Sequence, residues 1–207
     1  MYQPPHFKEE RLEVQHALIT AHPFGLLISA GADGPEANGV PFTLDKDAAP
    51  LGVLRCHVAR ANQQWRMLDG QKVLAVFQGP QAYISPSLYE TKRETGKVVP
   101  TWNYAMVQAR GVARVHEDPE WLRTQVNALT NGHEAPRTAP WQVSDAPESF
   151  IQSQLKGIVG IEIIIDAIEG KWKMSQNRPE SDRRGVASGL SPEQADVAAL
   201  VRDYGKI

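Results

Sequence analysis

The sequence predicts an α+β protein, mainly an antiparallel barrel or sandwich carrying helices as additions. Three observations carry this. Six or seven apolar segments of strand character follow one another through turns marked by glycine and proline. Helix signals are confined to the start, the middle and the end of the chain. Strands and long helices do not alternate, which disfavours a doubly wound parallel sheet.

Residues 9–21 suit an amphipathic helix, with Leu12, Gln15/His16 and Ile19 near helical spacing. His22-Pro23 stops it, because the proline ring disfavours helical geometry in the residue before it. Residues 24–29 read as a buried strand, Gly31-Ala32-Asp33-Gly34 as a turn and residues 38–44 as the returning arm of a hairpin. Pro41 in that arm points to an edge position or a bulge. Residues 51–58 form the next strand. A short helix over residues 62–68 ends at Asp69-Gly70, with Gly70 as a left-handed cap. Residues 72–79 and 82–84 read as two further short strands.

Residues 86–100 form a polar loop long enough for a lid or a binding segment. Residues 105–115 place Val107, Ala109, Gly111, Ala113 and Val115 on one face, the sheet period of two. Asp118-Pro119-Glu120 marks a helix start by a capping acid before proline. Asp145 with Glu148, and Ser191-Pro192-Glu193-Gln194, resemble capping boxes. Between those two lies the β-branched strand at residues 158–165, flanked by Gly157 and Gly170.

The 207 residues include 22 Lys+Arg and 24 Asp+Glu, for a net charge of -2, and 42% are hydrophobic. A chain of this size buries about 70% of its unfolded surface and needs no disulfide or metal to fold. The near-neutral balance argues against a general positive field for nucleic acid and leaves a local basic patch open. Cys56 is alone and fits a reducing compartment. The first ten residues lack a signal-peptide pattern, and the apolar run at 158–168 is too short and too polar for a bilayer. A soluble cytoplasmic protein is expected.

No dinucleotide or Walker loop, zinc spacing or nucleophile elbow occurs, so hydrolase and nucleotide-triphosphatase readings are weak and no metal site is expected. Polar side chains concentrate in four places instead. At residues 57–65 a strand runs into a helix beside His57, Arg60 and Asn62, a seat for phosphate unless Asn62 is only a cap and Arg60 only solvated. At residues 78–86, Tyr83 and Ser85 share a strand face, although turn chemistry explains the glycine and prolines. Trp102, Asn103 and Tyr104 suit a planar ligand or a half-buried core equally well. Lys173, Ser175, Gln176, Asn177 and Arg178 follow the most apolar strand and point to a bound anion. If the strand continues to Gln176, Lys171, Lys173 and Ser175 share one face.

These motifs, with Met1-Tyr2 and Pro4-Pro5-His6-Phe7 before them and Tyr83-Ile84-Ser85-Pro86 among them, resemble the PaiB family of FMN-binding negative transcriptional regulators. The resemblance covers nearly the whole chain. It implies a split β-barrel of the flavin-reductase and pyridoxamine-phosphate-oxidase type with peripheral helices. Residues 1–190 would form the FMN-binding domain, and residues 191–207 a helical extension of it. It also implies a homodimer with FMN at the subunit interface. On that basis Arg60, Lys173 and Arg178 are expected to carry phosphate charge, with Asn62, Ser175 and Gln176 as neutral donors. Trp102, Asn103 and Tyr104 are assigned to the isoalloxazine side, and His57 to either. Leu88 stands where relatives are expected to carry an aromatic ring.

The family implies a repressor, and the nearest DNA-binding candidate is residues 177–189 with Arg178, Arg183 and Arg184. Three alternatives compete. The first is an NAD(P)H-linked flavin oxidoreductase, for which no residue stands out as acid or base. The second is a haem protein using His16, His57, His116 or His133. The third is a flavin carrier or redox sensor acting through a protein partner.

Overall fold

The computed structural model describes residues 1–31 and 33–207. Its elements are β1 (Lys8–Glu9), α1 (Leu12–Ala21), β2 (Phe24–Gly31), β3 (Gly34–Pro41), β4 (Thr43–Asp45) and β5 (Val53–Ala59). Then come β6 (Lys72–Ile84), α2 (Glu90–Thr95), β7 (Thr101–His116), α3 (Pro119–Glu134) and α4 (Glu148–Lys156). The chain closes with β8 (Ile158–Lys173), α5 (Glu180–Gly189) and α6 (Ala195–Gly205). The strands pair in the order β3-β2-β6-β7-β8-β5-β4, with β1 against β8. No helix among the described residues is long and apolar enough to cross a membrane.

The chain divides into two compact units. One comprises residues 1–18, 78–107 and 169–207, the other residues 19–77 and 108–168. The second unit holds the β2–β3 hairpin, registered from Phe24↔Pro41 to Gly31↔Gly34. It also holds the β5–β8 ladder, which runs from Val53↔Ile164 to Ala59↔Ile158. Alternation along the strands of this unit buries Leu27, Leu54, Cys56, Phe77, Ile161 and Ile163, and each large apolar side chain among them is worth about 1.5–3 kcal/mol. Burial pushes the Cys56 thiol pKa up, so it stays neutral. Gln64 clamps the hairpin, donating to Ser29 Oγ at 3.0 Å and accepting from Asn38 Nδ2 at 2.9 Å. Helices α3 and α4 form a satellite core of Leu122, Val143, Ile151 and Leu155. A Cβ on Gly160 would lie 2.1 Å from the Trp121 ring, so only glycine lets the indole lie on the strand.

The first unit buries Ile84, Tyr89, Ala105, Val107, Trp172, Met174 and Val201. Leu88 rests on α5 at Gly185 and Gly189, where a Cβ would come within 2.1 Å of the Leu88 carbonyl oxygen and 2.5 Å of its side chain. The ring expected at this position is thus replaced by an aliphatic contact inside the unit. Glu9, nearly buried, takes hydrogen bonds from Arg11 Nε at 2.9 Å and Tyr204 Oη at 2.5 Å, which ties β1 to α6. Burial alone would raise the Glu9 pKa. The hydrogen bonds from Arg11 and Tyr204 overcome it and hold the carboxyl at about 2.

Several elements differ from expectation. Residues 72–84 are one strand, because Pro80 interrupts neither its alternation nor its direction. The loop at 86–100 contains a turn of helix at Pro86–Leu88 and the helix α2. The strand at 158–165 extends to Lys173 but stops short of Gln176. The segment after Asn62 is a single 3-10 turn, Gln63–Met67, and α1 starts at Leu12 rather than at Glu9. The expected Asp145–Glu148 box is instead Gln142–Asp145 around Val143–Asp145, and α4 begins separately. The hairpin arm starts at Gly34, earlier than predicted, and Pro41 does end an edge strand. The predicted turn at residues 31–34 includes Ala32, which lies outside the described residues. Gly70 is left-handed, with φ 71°, and Asp118 caps α3 by accepting from the Trp121 N–H at 2.8 Å.

Candidate functional site

In the first unit the ends of β7 and β8 bring three cations together. Lys171 is nearly buried, with its Nζ 5.5 Å from the Tyr2 ring centroid and 5.4 Å from that of Tyr104. Lys173, two residues on and therefore on the same face, donates to the Trp102 carbonyl at 2.6 Å and to the Thr101 hydroxyl. Arg178 lies over the Tyr89 ring at 4.8 Å. Among the described residues none of the three enters an ion pair. Burial, then Lys171, then Arg178 push the Lys173 pKa below its ordinary value.

The segment after β8 is a tight turn that fixes this geometry. Ser175 has φ 64°, a left-handed conformation costing a non-glycine residue about 1–2 kcal/mol. Gln176 holds the turn with both ends of its amide, accepting from the Met174 N–H at 2.6 Å and donating to the Trp172 carbonyl at 2.6 Å. The Arg178 N–H closes on the Ser175 carbonyl at 2.9 Å. Asn103, fully buried, shares hydrogen bonds with the Ser175 hydroxyl at 3.0 and 3.2 Å, so β7 grips the same turn. Trp102 remains 52% exposed, edge-on to the half-exposed Tyr83 at 6.2 Å, and leaves an aromatic surface beside the cations.

The expected residues of the second unit have partners there. His57 Nδ1 is 2.9 Å from Gln125 Oε1. Arg60 donates from Nε to the Lys156 carbonyl at 2.8 Å, from a terminal nitrogen to the Ile158 carbonyl at 3.1 Å, and from the other to Glu117. Asn62 caps the 3-10 turn by accepting from the Gln64 N–H at 2.9 Å. A five-residue turn of that kind carries little of the axial dipole that a long α-helix offers an anion.

Thus Trp102, Asn103, Tyr104, Lys173, Ser175, Gln176 and Arg178 gather in one unit, while His57, Arg60 and Asn62 belong to the other. Lys171, Thr101 and Tyr89 join the first group without having been singled out as site residues. The two-residue spacing of Lys171 and Lys173 was a usable signal. Nothing local marks Thr101 or Tyr89.

Residues 1–167 match the model of a family described as "Putative FMN-binding domain". The chain belongs to this FMN-binding family. A Bacillus subtilis protein named "Protease synthase and sporulation protein PAI 2" is 32% identical over 208 residues, covering 98% of this chain and 97% of its own. This agrees with the PaiB resemblance. An uncharacterised Emericella nidulans protein is 36% identical over 248 residues, covering 100% of this chain and 98% of its own. Among solved structures, the "FAD and Heme binding protein from Mycobacterium smegmatis" has a TM-score of 0.60 at 16% identity, over 88% of this chain and 79% of that one. The fold is α+β, mainly an antiparallel split β-barrel with peripheral helices, as expected.

FMN is the cofactor that goes with this family. The first unit fits it chemically. Two lysines and an arginine that repel one another, none of them in an ion pair among the described residues, are stabilised by an anion, and the exposed Trp102 offers a planar ring a partner.

Proposed function

We propose that Lys171, Lys173 and Arg178 hold the FMN phosphate and that the protein is a flavin-dependent regulator of the PaiB type. The observation that carries this reading is the unbalanced, mutually repelling cation cluster at the ends of β7 and β8. A phosphomonoester brings about -1.5 to -2 charge, enough to answer two of the three cations. Lys173 supplies the centrally placed ammonium, Arg178 a planar fork, and Lys171 a charge fixed between two rings. Ser175 and Asn103 keep the turn in its left-handed form, and Gln176 braces it rather than donating to the ligand. Trp102 supports the ring system. When bound, FMN supplies one- and two-electron redox chemistry at that ring. Arg60 belongs to the second unit and is left out of this cluster.

A second copy of the chain fits the outward face of β2 and β6. Leu26↔Val76 and Ile28↔Leu74 are register pairs on that face, and Phe24, 71% exposed, extends it. The regulatory role rests on the kinship with the Bacillus protein. Arg184 is paired with Glu180 and Arg183 Nε is buried, so α5 offers few free cations for reading DNA. Flavin occupancy acting through a protein partner fits this surface better.

Quenching of FMN fluorescence by the full chain tests the site. Lys173→Ala and Arg178→Ala are each expected to weaken binding by about 10- to 100-fold, the worth of a charged hydrogen bond. Folded variants that bind like the parent overturn the assignment. A visible spectrum with a Soret band in place of flavin bands overturns the choice of cofactor.

A further inference from the structure

The second unit contains a cavity of about 580 Å³, within the range of small-molecule sites, that the flavin reading does not use. We propose that it binds short apolar peptides of about three residues with both termini free. Its floor is Pro119, Leu122 and Leu155, of which the two leucines are buried in the α3–α4 core. This apolar floor would take the peptide's side chains.

The walls carry charge in an ordered way. At one end Arg60 joins the C-terminus of α4 to the approach of α3, bonding the Lys156 carbonyl and Glu117. At the other end Arg123 pairs with Glu148 at the start of α4, and Gln152 Nε2 donates to the same carboxylate at 3.0 Å. The helices therefore run antiparallel along the cavity. Arg60 and Lys156 against Glu117 leave the first end with one net positive charge. Glu148 cancels Arg123 at the second end, and Glu120 stands between the two along α3. Neither Lys156 nor Glu120 enters an ion pair among the described residues.

Eight residues separate Glu148 from Lys156 along α4, a rise of about 12 Å. A free amino acid is too short to engage both ends, whereas an extended chain gains about 3.3–3.6 Å per residue. Three residues, about 10–11 Å when extended, place a C-terminal carboxylate at Arg60 and Lys156 and an N-terminal ammonium past Glu120 toward Glu148. The helix's own end charges oppose this orientation, but Glu148 and Lys156 already answer them. The Arg60–Glu117 and Arg123–Glu148 pairs are partly exposed, so exchanging a partner for a peptide terminus costs little.

Calorimetry on the full chain with Leu-Ala-Leu, its N-acetyl form, its C-terminal amide and free leucine tests the proposal. The unblocked tripeptide should bind saturably, and each blocked form about three- to tenfold more weakly. Lys156→Gln should erase the difference between acid and amide, and Glu120→Gln the difference between amine and acetyl. Both residues are exposed, so both variants should fold. FMN titration of the same two variants should match the parent, which separates this result from the flavin site. Absence of saturable binding up to about 10 mM, a value far above ordinary ligand affinities, overturns the proposal. So does equal binding of blocked and free peptides, or discrimination that survives both substitutions.

Discussion

The two units use charge in opposite ways. In the first, Lys171, Lys173 and Arg178 enter no ion pair among the described residues, and burial together with their repulsion depresses the Lys173 pKa. In the second, Arg60 faces Glu117 and Arg123 faces Glu148, each pair near the surface. An unanswered cluster is a standing cost that only an anion removes, so it specifies its ligand by charge. A paired rim costs nothing when empty and specifies by length and by the spacing of both signs.

Reversing the central charge breaks this comparison most severely. Lys173→Glu should abolish measurable FMN binding, a loss above about 3 kcal/mol, because it adds a second anion where the phosphate belongs. Fluorescence titration reads this, and the cavity of the second unit should be unaffected. Gly185→Ala drives a methyl into the Leu88 carbonyl oxygen, 2.1 Å away. It should cost about 1–3 kcal/mol in thermal or denaturant unfolding, the usual price of overpacking.

Acid should act next. Glu9 has a folded pKa of about 2 against an ordinary value near 4.5, so its contribution is complete above the ordinary value. It is lost as pH falls from there through about 2. The amount is about 1–3 kcal/mol, discounted for the half-exposed Arg11, and Glu9→Gln should flatten that limb of the stability curve. At alkaline pH the first unit should respond differently. Lys173 must be protonated to hold phosphate, so FMN affinity should fall as pH rises through its lowered pKa, earlier than an ordinary lysine would allow. Lys173→Arg should move that decline upward. The smallest effect is expected from Arg123→Ala, under about 1 kcal/mol of stability, as for exposed ion pairs generally.

Patterns that are local were legible in the chain. Asp118 before Pro119, the glycine at position 70 and the alternation through residues 105–115 each declare a conformation within a few residues. The Lys171–Lys173 spacing likewise declares a shared face. What escaped was set by contacts distant in sequence. Asp182, fully buried, accepts from the Thr91 N–H at 2.9 Å at the start of α2, and no neighbour of Thr91 announces that helix. Ser175 turns left-handed because Asn103 holds its side chain and Gln176 holds the flanking backbone, although its sequence neighbours look like a continuing strand. Arg60 and Asn62 read as a phosphate seat because capping chemistry and anion binding call for the same side chains.

Trp121 lies flat on Gly160, and His116 stacks on the indole at 4.2 Å with the rings 3° from parallel. Glu162 Oε1 stands 3.8 Å from the imidazole Nε2. A side chain at position 160 would displace the indole, and with it the His116 stack, so Trp121 owes its seat to the absence of a Cβ there. Its sequence neighbours Glu120 and Leu122 form part of the cavity wall. One missing methyl on β8 thus decides where the first turn of α3, and that wall with it, can lie.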